Sequence, residues 1–316
     1  MSAEAPLPLL VVAGSPGAGK TSLLARWMAD PDAVATAVLV NEPTGIAIDA
    51  HLVGGHAGAA RAFTGGCACC DMREELPAAL ESLAGARRGA ARFERVWMEL
   101  SGFAHPAPVL ASLEDARIRE RFPLHGFATI VDALAGLREL EDAGARARVA
   151  AADVLVIAKT DLVPAGEVDR LVAALARVNP DAEILRPHAG AADSREVWDA
   201  ARSAPGRELR RLEAAVDAGY AHERIGAFAL RLPAPVELSG FCLRLAGFLY
   251  EHRERVLRVK GLVAVQGRRG PAVIQAVGAA LHPVRTLRDW PAGAAHGALV
   301  VIARGLDEAT IRAALT

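Results

Sequence analysis

Eight consecutive residues, Gly14-Ser15-Pro16-Gly17-Ala18-Gly19-Lys20-Thr21, follow the apolar run Leu7 to Ala13 with the spacing G-x-x-x-x-G-K-[ST]. That spacing suits phosphate. Glycines let the backbone wrap an anion with its N–H groups, and a helix beginning near Lys20 aims its positive dipole end at the same point. Gly14, Gly17, Ala18, Gly19, Lys20, Thr21 and Ser22 are therefore the expected cradle of a nucleoside triphosphate. Lys20 is expected at the β and γ oxygens, a catalytic position, and the Thr21 hydroxyl on Mg²⁺.

Groups that sense a γ-phosphate sit at strand ends facing such a loop. In Trp97-Met98-Glu99-Leu100-Ser101-Gly102, Glu99 closes an apolar strand, where a carboxylate can hold the magnesium shell or polarise water. Gly102 can offer a backbone N–H to the γ-phosphate, so both are candidate catalytic residues. Farther on, Ile157-Ala158-Lys159-Thr160-Asp161 ends another apolar strand and resembles the guanine-reading pattern N-K-x-D. A carboxylate at Asp161 accepts from two N–H groups on guanine's edge that adenine does not offer, so Lys159 and Asp161 are expected to bind GTP. Leaving a buried carboxylate unpaired gives discrimination of roughly 10⁴. Ala158 stands where the pattern has Asn, which removes one side-chain tie to the base and the loop.

A second dense stretch is Gly65-Gly66-Cys67-Ala68-Cys69-Cys70, which holds three of the chain's four cysteines. Thiolates favour Zn²⁺, Cu⁺ and, less strongly, Co²⁺. In an extended segment Cys67 and Cys69 project to one side, and three thiolates leave a tetrahedral ion one open position for exchange. Buried, inert cysteines are the alternative. Between Val40-Asn41 and Ile48-Asp49, Glu42 is a candidate transition-metal ligand and Asp49 a candidate for the magnesium shell. His51 and His56 follow on a glycine-rich loop and read either as further ligands of the metal site or, more often for such histidines, as solvated loop residues.

The elements that must position these groups show in the hydrophobic pattern. Apolar runs at Leu9 to Ala13, Ala37 to Val40, Val96 to Leu100, Ala128 to Val131 and Val154 to Ala158 alternate with segments whose apolar residues fall three or four apart. The pattern predicts an α/β domain with a layered, mostly parallel sheet and helices over Thr21 to Ala29, Glu74 to Leu83 and Val168 to Arg177. A short strand is expected around Ile184. Charged, turn-rich sequence from Ser203 to Glu223 places a boundary, giving a nucleotide domain over 1–215 and a smaller α+β domain over 216–316. There, Gly240 to Glu254 reads as a helix, Arg255 to Gln266 and Leu299 to Ala303 as strands, and Leu306 to Leu315 as a closing helix.

Composition narrows the class. Among 316 residues, 36 Lys and Arg nearly balance 37 Asp and Glu, so the electrostatic footprint of a nucleic-acid partner is missing. Apolar runs of about seven residues fall short of the roughly 20 that span a bilayer. Met1 to Pro8 carries no Lys or Arg, unlike a secretory leader. The expected location is the cytoplasm, where clustered cysteines favour metal or thiol chemistry over disulfides.

Taken in order, these segments resemble the CobW family of P-loop GTPases, related to the nickel-insertion GTPases of urease and hydrogenase. The family's G-C-x-C-C motif corresponds to Gly66-Cys67-Ala68-Cys69-Cys70, and its E-T-[ST]-G-x-x-x-P segment to Glu99-Leu100-Ser101-Gly102 with Pro106. Its switch segment corresponds to Asn41-Glu42 through Ile48-Asp49, and its C-terminal R-x-K-G to Arg258-Val259-Lys260-Gly261. The resemblance implies GTP hydrolysis that gates binding and transfer of a transition metal, Zn²⁺ or Co²⁺ favoured, to a client metalloprotein or cofactor pathway. It also names the departures: Ser15-Pro16 where relatives carry bulky apolar residues, Thr44 and Ala47 in place of switch glycines, and few histidines between the domains. No arginine finger is identifiable, so slow turnover is expected. A second subunit could complete a three-thiolate site, making a homodimer. The competing classes are a P-loop small-molecule kinase with structural cysteines, and a non-enzymatic metal store or sensor that responds to nucleotide.

Overall fold

The computed structural model describes residues 5–30, 36–41, 60–63, 72–87, 93–113, 115–187, 192–202, 225–232, 235–290 and 297–315. The chain divides into two compact units. Met1–Arg148, Ala152–Leu171 and Glu183–Arg202 make the first, and Val149–Ala151, Val172–Ala182 and Ser203–Thr316 the second.

Seven described strands build the sheet of the first unit: β1 (Leu9–Gly14), β2 (Thr36–Asn41), β3 (Ala60–Phe63), β4 (Arg95–Glu99), β5 (Leu124–Asp132), β6 (Val154–Ala158) and β7 (Glu183–Leu185). Their order is β3-β2-β4-β1-β5-β6-β7, with every pairing parallel. Helices α1 (Lys20–Met28), α2 (Met72–Arg87), α3 (Pro106–Leu113), α4 (Ala116–Arg121), α5 (Gly136–Glu139), α6 (Ala143–Ala151), α7 (Ala165–Val178) and α8 (Ser194–Ala201) connect or follow the strands. All six residues of β1 are buried, as a central parallel strand covered on both faces requires. Alternate residues Leu10 and Val12, Ala128 and Ile130, Val154 and Val156 line one face. They share a core with Trp27 and Trp97, whose rings meet edge to face at 5.1 Å.

The expected strands and helices are present, with ends shifted by a few residues. Strand β3, four residues long, and helices α3, α4, α5, α6 and α8 lie outside the expected elements. Asp115 caps α4 by accepting from the Arg117 N–H, and Asp193 caps α8 through the N–H groups of Arg195 and Glu196.

In the second unit β8 (Ile225–Arg231), β9 (Val256–Val263), β10 (Ala272–Val277), β11 (Ala280–Leu281), β12 (Arg285–Thr286) and β13 (Ala298–Arg304) form an antiparallel sheet. Its order is β11-β10-β9-β13-β8, with β12 beside β10. Helices α9 (Leu238–Glu251) and α10 (Glu308–Leu315) bury Phe241, Leu245, Phe248 and Leu249, and Ile311 and Leu315, in the sheet's core. This is the expected α+β unit. No helix among the described residues is long and apolar enough to cross a membrane.

The residues Arg258, Lys260 and Gly261 gain a physical meaning here. Arg258 donates to the carbonyls of Ala150 and Ala151, acceptors that the C-terminal end of α6 leaves without intrahelical partners. Lys260 Nζ lies 3.2 Å from Asp181 Oδ2, both side chains 4% exposed. Asn179 aligns the same turn, its Nδ2 donating to Val149 O and its Oδ1 accepting from the Asp181 N–H. At Gly261 a Cβ would stand 2.0 Å from the Ala298 carbonyl oxygen, so β9 and β13 approach too closely for a side chain. Loss of one member of a buried ion pair costs about 3–5 kcal/mol, whereas replacing both members by apolar residues is often close to neutral. Asp181→Ala should therefore shift the urea midpoint far more than the double change Asp181→Leu with Lys260→Met. Equal shifts would show that burial of the Lys260 charge is not what the pair controls.

Candidate functional site

Strand β1 ends in the glycine-rich loop, where Gly14, Gly17 and Gly19 take φ values of 151°, 79° and 95°. A Cβ at Gly14 would also lie 2.5 Å from the Ile130 carbonyl oxygen. No other residue suits that position. From Gly19 the chain enters α1, whose first residue is Lys20. Ala18 and Lys20 are buried, Thr21 is half-buried, and Ser22 is exposed. Lys20 Nζ donates to the Ser15 carbonyl at 3.1 Å, and the Ala18 N–H donates to the same oxygen at 3.2 Å.

Register delivers the next group. Strand β4 runs beside β1 with Glu99 opposite Val12, and the Leu100 N–H donates to the Val12 carbonyl. Glu99, 3% exposed, accepts the Thr21 hydroxyl on Oε1 at 2.8 Å. Two residues from distant segments, expected on sequence grounds to share a magnesium shell, are thus in contact. A hydroxyl and a carboxylate are the hard oxygen donors that Mg²⁺ prefers, so the residues present fit that ion. Gly102 lies against the loop itself, where a Cβ would meet the Pro16 nitrogen at 2.5 Å.

Strand β6 supplies the third part. Lys159 adopts φ 60°, the one described non-glycine residue with positive φ. That turn sends Nζ to the Gly17 carbonyl at 2.8 Å and to Asp132 Oδ2 at 2.6 Å. Asp132 closes β5 opposite Ala158, and its Oδ1 accepts the Leu134 N–H at 2.8 Å. Thr160 donates to the Pro187 carbonyl at 2.9 Å. Asp161 is exposed on a short 3-10 turn, Thr160–Leu162. The discrimination attributed above to an already buried carboxylate therefore does not apply to this state. A base would itself have to cover Asp161.

Two groups escaped the sequence reading. Asp132 is the anion that orients Lys159, and Arg148 of α6 donates to the Ser15 hydroxyl at 3.2 Å. The only hint of Asp132 was its place at a strand's carboxyl end beside Ala158, and Arg148 had no signal at all. Cys67, Cys69, Cys70, Glu42, Asp49, His51 and His56 lie outside the described residues. Among the described residues no group of three or more His, Cys, Asp or Glu could hold a metal ion.

Comparison with known proteins identifies the family and the fold. Residues 8–186, more than half of the chain, match the family description "CobW/HypB/UreG, nucleotide-binding domain". The chain belongs to this CobW/HypB/UreG family. Residues 225–316 match the "Cobalamin synthesis protein cobW C-terminal domain". The chain is 27% identical to the zinc chaperone YjiA of Escherichia coli (strain K12) over 317 residues, covering 98% of each. It is also 27% identical to the zinc chaperone CobW of Sinorhizobium sp over 347 residues, covering 98% of this chain and 96% of the relative. The crystal structure of Zn(II)-bound YjiA GTPase from E. coli has the same fold, with a TM-score of 0.70, 23% identity and 98% coverage of each chain.

Hydrogen bonds to charged groups contribute about 1.5–3 kcal/mol, so Asp132→Ala, which releases Lys159 from its anion, should weaken GTP binding by at least roughly tenfold. Calorimetric titration with GTP measures this. Wild-type affinity in that variant would mean that Gly17 alone orients Lys159.

Proposed function

We propose that this chain binds and hydrolyses GTP, and that the cycle gates transfer of a transition metal ion, Zn²⁺ or Co²⁺, to a client metalloprotein or cofactor pathway. The observation that carries the nucleotide half is the Thr21–Glu99 contact at the mouth of a loop bridged by Lys159 to the guanine-reading turn. The metal half rests on the thiolates of Cys67, Cys69 and Cys70, with Glu42, and on relatives described as zinc chaperones.

In this reading the backbone N–H groups of the Gly14 to Thr21 loop hold the phosphates, and Lys20 moves from the Ser15 carbonyl to the β and γ oxygens. Glu99 orients the attacking water, and Gly102, pressed on Pro16, presents its N–H to the γ-phosphate. Thr21 and Glu99, with Asp49 in the shell, would hold Mg²⁺, which when bound would supply neutralisation of the charge on the β- and γ-phosphates. Asp161 and Lys159 select guanine. Turnover is slow without an arginine finger, a group worth roughly 10³ to 10⁵ in rate. Residues 1–215 serve as the GTPase domain with the thiolate motif, residues 216–316 as a smaller α+β domain, and the protein works in the cytoplasm.

A switch of this kind requires the metal to prefer one nucleotide state, by about 1.4 kcal/mol for each tenfold difference in affinity. Anaerobic competition titration of Zn²⁺ and Co²⁺ compares Mg²⁺ plus a non-hydrolysable GTP analogue with Mg²⁺-GDP, and Cys67→Ala serves as the control. Tighter, cysteine-dependent binding with the GTP analogue is expected. Equal affinity in the two nucleotide states would falsify the gating mechanism, and GTP turnover that depends on a small-molecule acceptor would point to a kinase.

A further inference from the structure

Behind the phosphate loop lies a cation that the mechanism above does not use. Arg148, on α6, is 4% exposed, and its Nη2 donates to Ser15 Oγ at 3.2 Å. Its own carbonyl accepts the Thr129 hydroxyl of β5 at 2.8 Å, which fixes the backbone from which the side chain reaches. Ser15 therefore accepts from two buried cations, Lys20 on its carbonyl and Arg148 on its hydroxyl. The Arg148 Nε is buried without a hydrogen-bond partner. Burial pushes this guanidinium below its ordinary pKa, and Asp142 and Glu139 act on it through space in the opposite sense. An arginine stays charged even so, because its ordinary value is far above neutrality.

A fixed charge inside a low-dielectric wall favours whatever anion binds next to that wall. The anion site here is the loop that Arg148 touches. We infer that Arg148 is a positioning residue for the bound nucleotide: through Ser15 it holds the start of the phosphate loop, and its charge makes affinity rise with the number of phosphates. The short Ser15 side chain is what leaves an acceptor for the guanidinium at this point. The inference rests on the reading of the loop as a nucleotide site, and it requires no contact between Arg148 and the phosphates.

The test measures dissociation constants of fluorescent mant-GTP and mant-GDP with Mg²⁺, and thermal midpoints without nucleotide. The full chain is used as wild type, Arg148→Met, Arg148→Lys, Ser15→Ala and the Ser15→Ala/Arg148→Met double variant. Arg148→Met should weaken mant-GTP binding on the order of tenfold, and mant-GDP binding less. Arg148→Lys should recover part of the loss. The double variant should bind no more weakly than Arg148→Met, because both changes remove one interaction. A lower midpoint with unchanged dissociation constants would overturn the inference, as would strictly additive losses. Ser15→Ala removes only the acceptor and carries the test if Arg148→Met does not fold, with unchanged affinity there again overturning it. Failure of the wild type to bind either nucleotide would sink the nucleotide reading as well, a result distinct from a wild type that binds and an Arg148→Met that binds equally.

Discussion

An anion held by backbone N–H groups needs those groups convergent before it arrives, and convergence is costly for a flexible loop. Ordering each residue takes about 1–2 kcal/mol, and glycines start with the most freedom to lose. In this chain the cost is met from the loop's other side. The Ser15 carbonyl is taken by Lys20 and the Ala18 N–H, the Ser15 hydroxyl by Arg148, and the Gly17 carbonyl by Lys159. Ties on these oxygens hold the backbone at Ser15 and Gly17 in place, and Pro16, which has no N–H of its own, adds its fixed φ between them. Three cations drawn from α1, α6 and the end of β6 thus surround one short loop, which suits it to an anion before any side chain touches the ligand.

Such convergence is possible because the first unit's sheet is parallel. Parallel strands bring their carboxyl ends to one edge, and β1, β4, β5 and β6 end there in Gly14, Glu99, Asp132 and Ala158. Register does the rest. Glu99 stands opposite Val12 and Asp132 opposite Ala158, so a slip of one residue in either pairing would turn a carboxylate to the other face of the sheet. The packing of Leu10, Val12, Ala128 and Ile130 into one core therefore also fixes where the charged residues are aimed.

What could be read from the sequence divides along the same line. The phosphate loop is contiguous, and its glycines announce themselves through backbone demands that no other residue meets. Glu99 and Lys159 were legible because each closes an apolar strand. Asp132 closes one too, yet its partner lies 27 residues on, and nothing local separates a carboxylate that orients a lysine from one that meets solvent. Arg148 sits among alanines and one other arginine, Arg146, on α6, and only the packed structure shows that its guanidinium turns inward. Arg258 and Lys260 were visible as a pattern without a reason, since the carbonyls of Ala150 and Ala151 and the carboxylate of Asp181 are more than 75 residues away in sequence. Short strands such as β3 and β11 carry too few residues for alternation to register.

The hydrogen bonds around Ser15 also bear on how Lys20 can serve two states. A buried carbonyl that loses its only donor incurs a desolvation penalty of about 1–3 kcal/mol, which would oppose movement of the lysine toward a phosphate. The Ser15 carbonyl has a second donor, the Ala18 N–H at 3.2 Å, and a carbonyl oxygen has two lone pairs to share. Departure of Lys20 therefore leaves a satisfied acceptor behind, while Arg148 continues to hold the same residue through its hydroxyl. Movement of Lys20 toward the phosphates would leave Arg148 and the Ala18 N–H on Ser15, and these two ties keep the loop in shape.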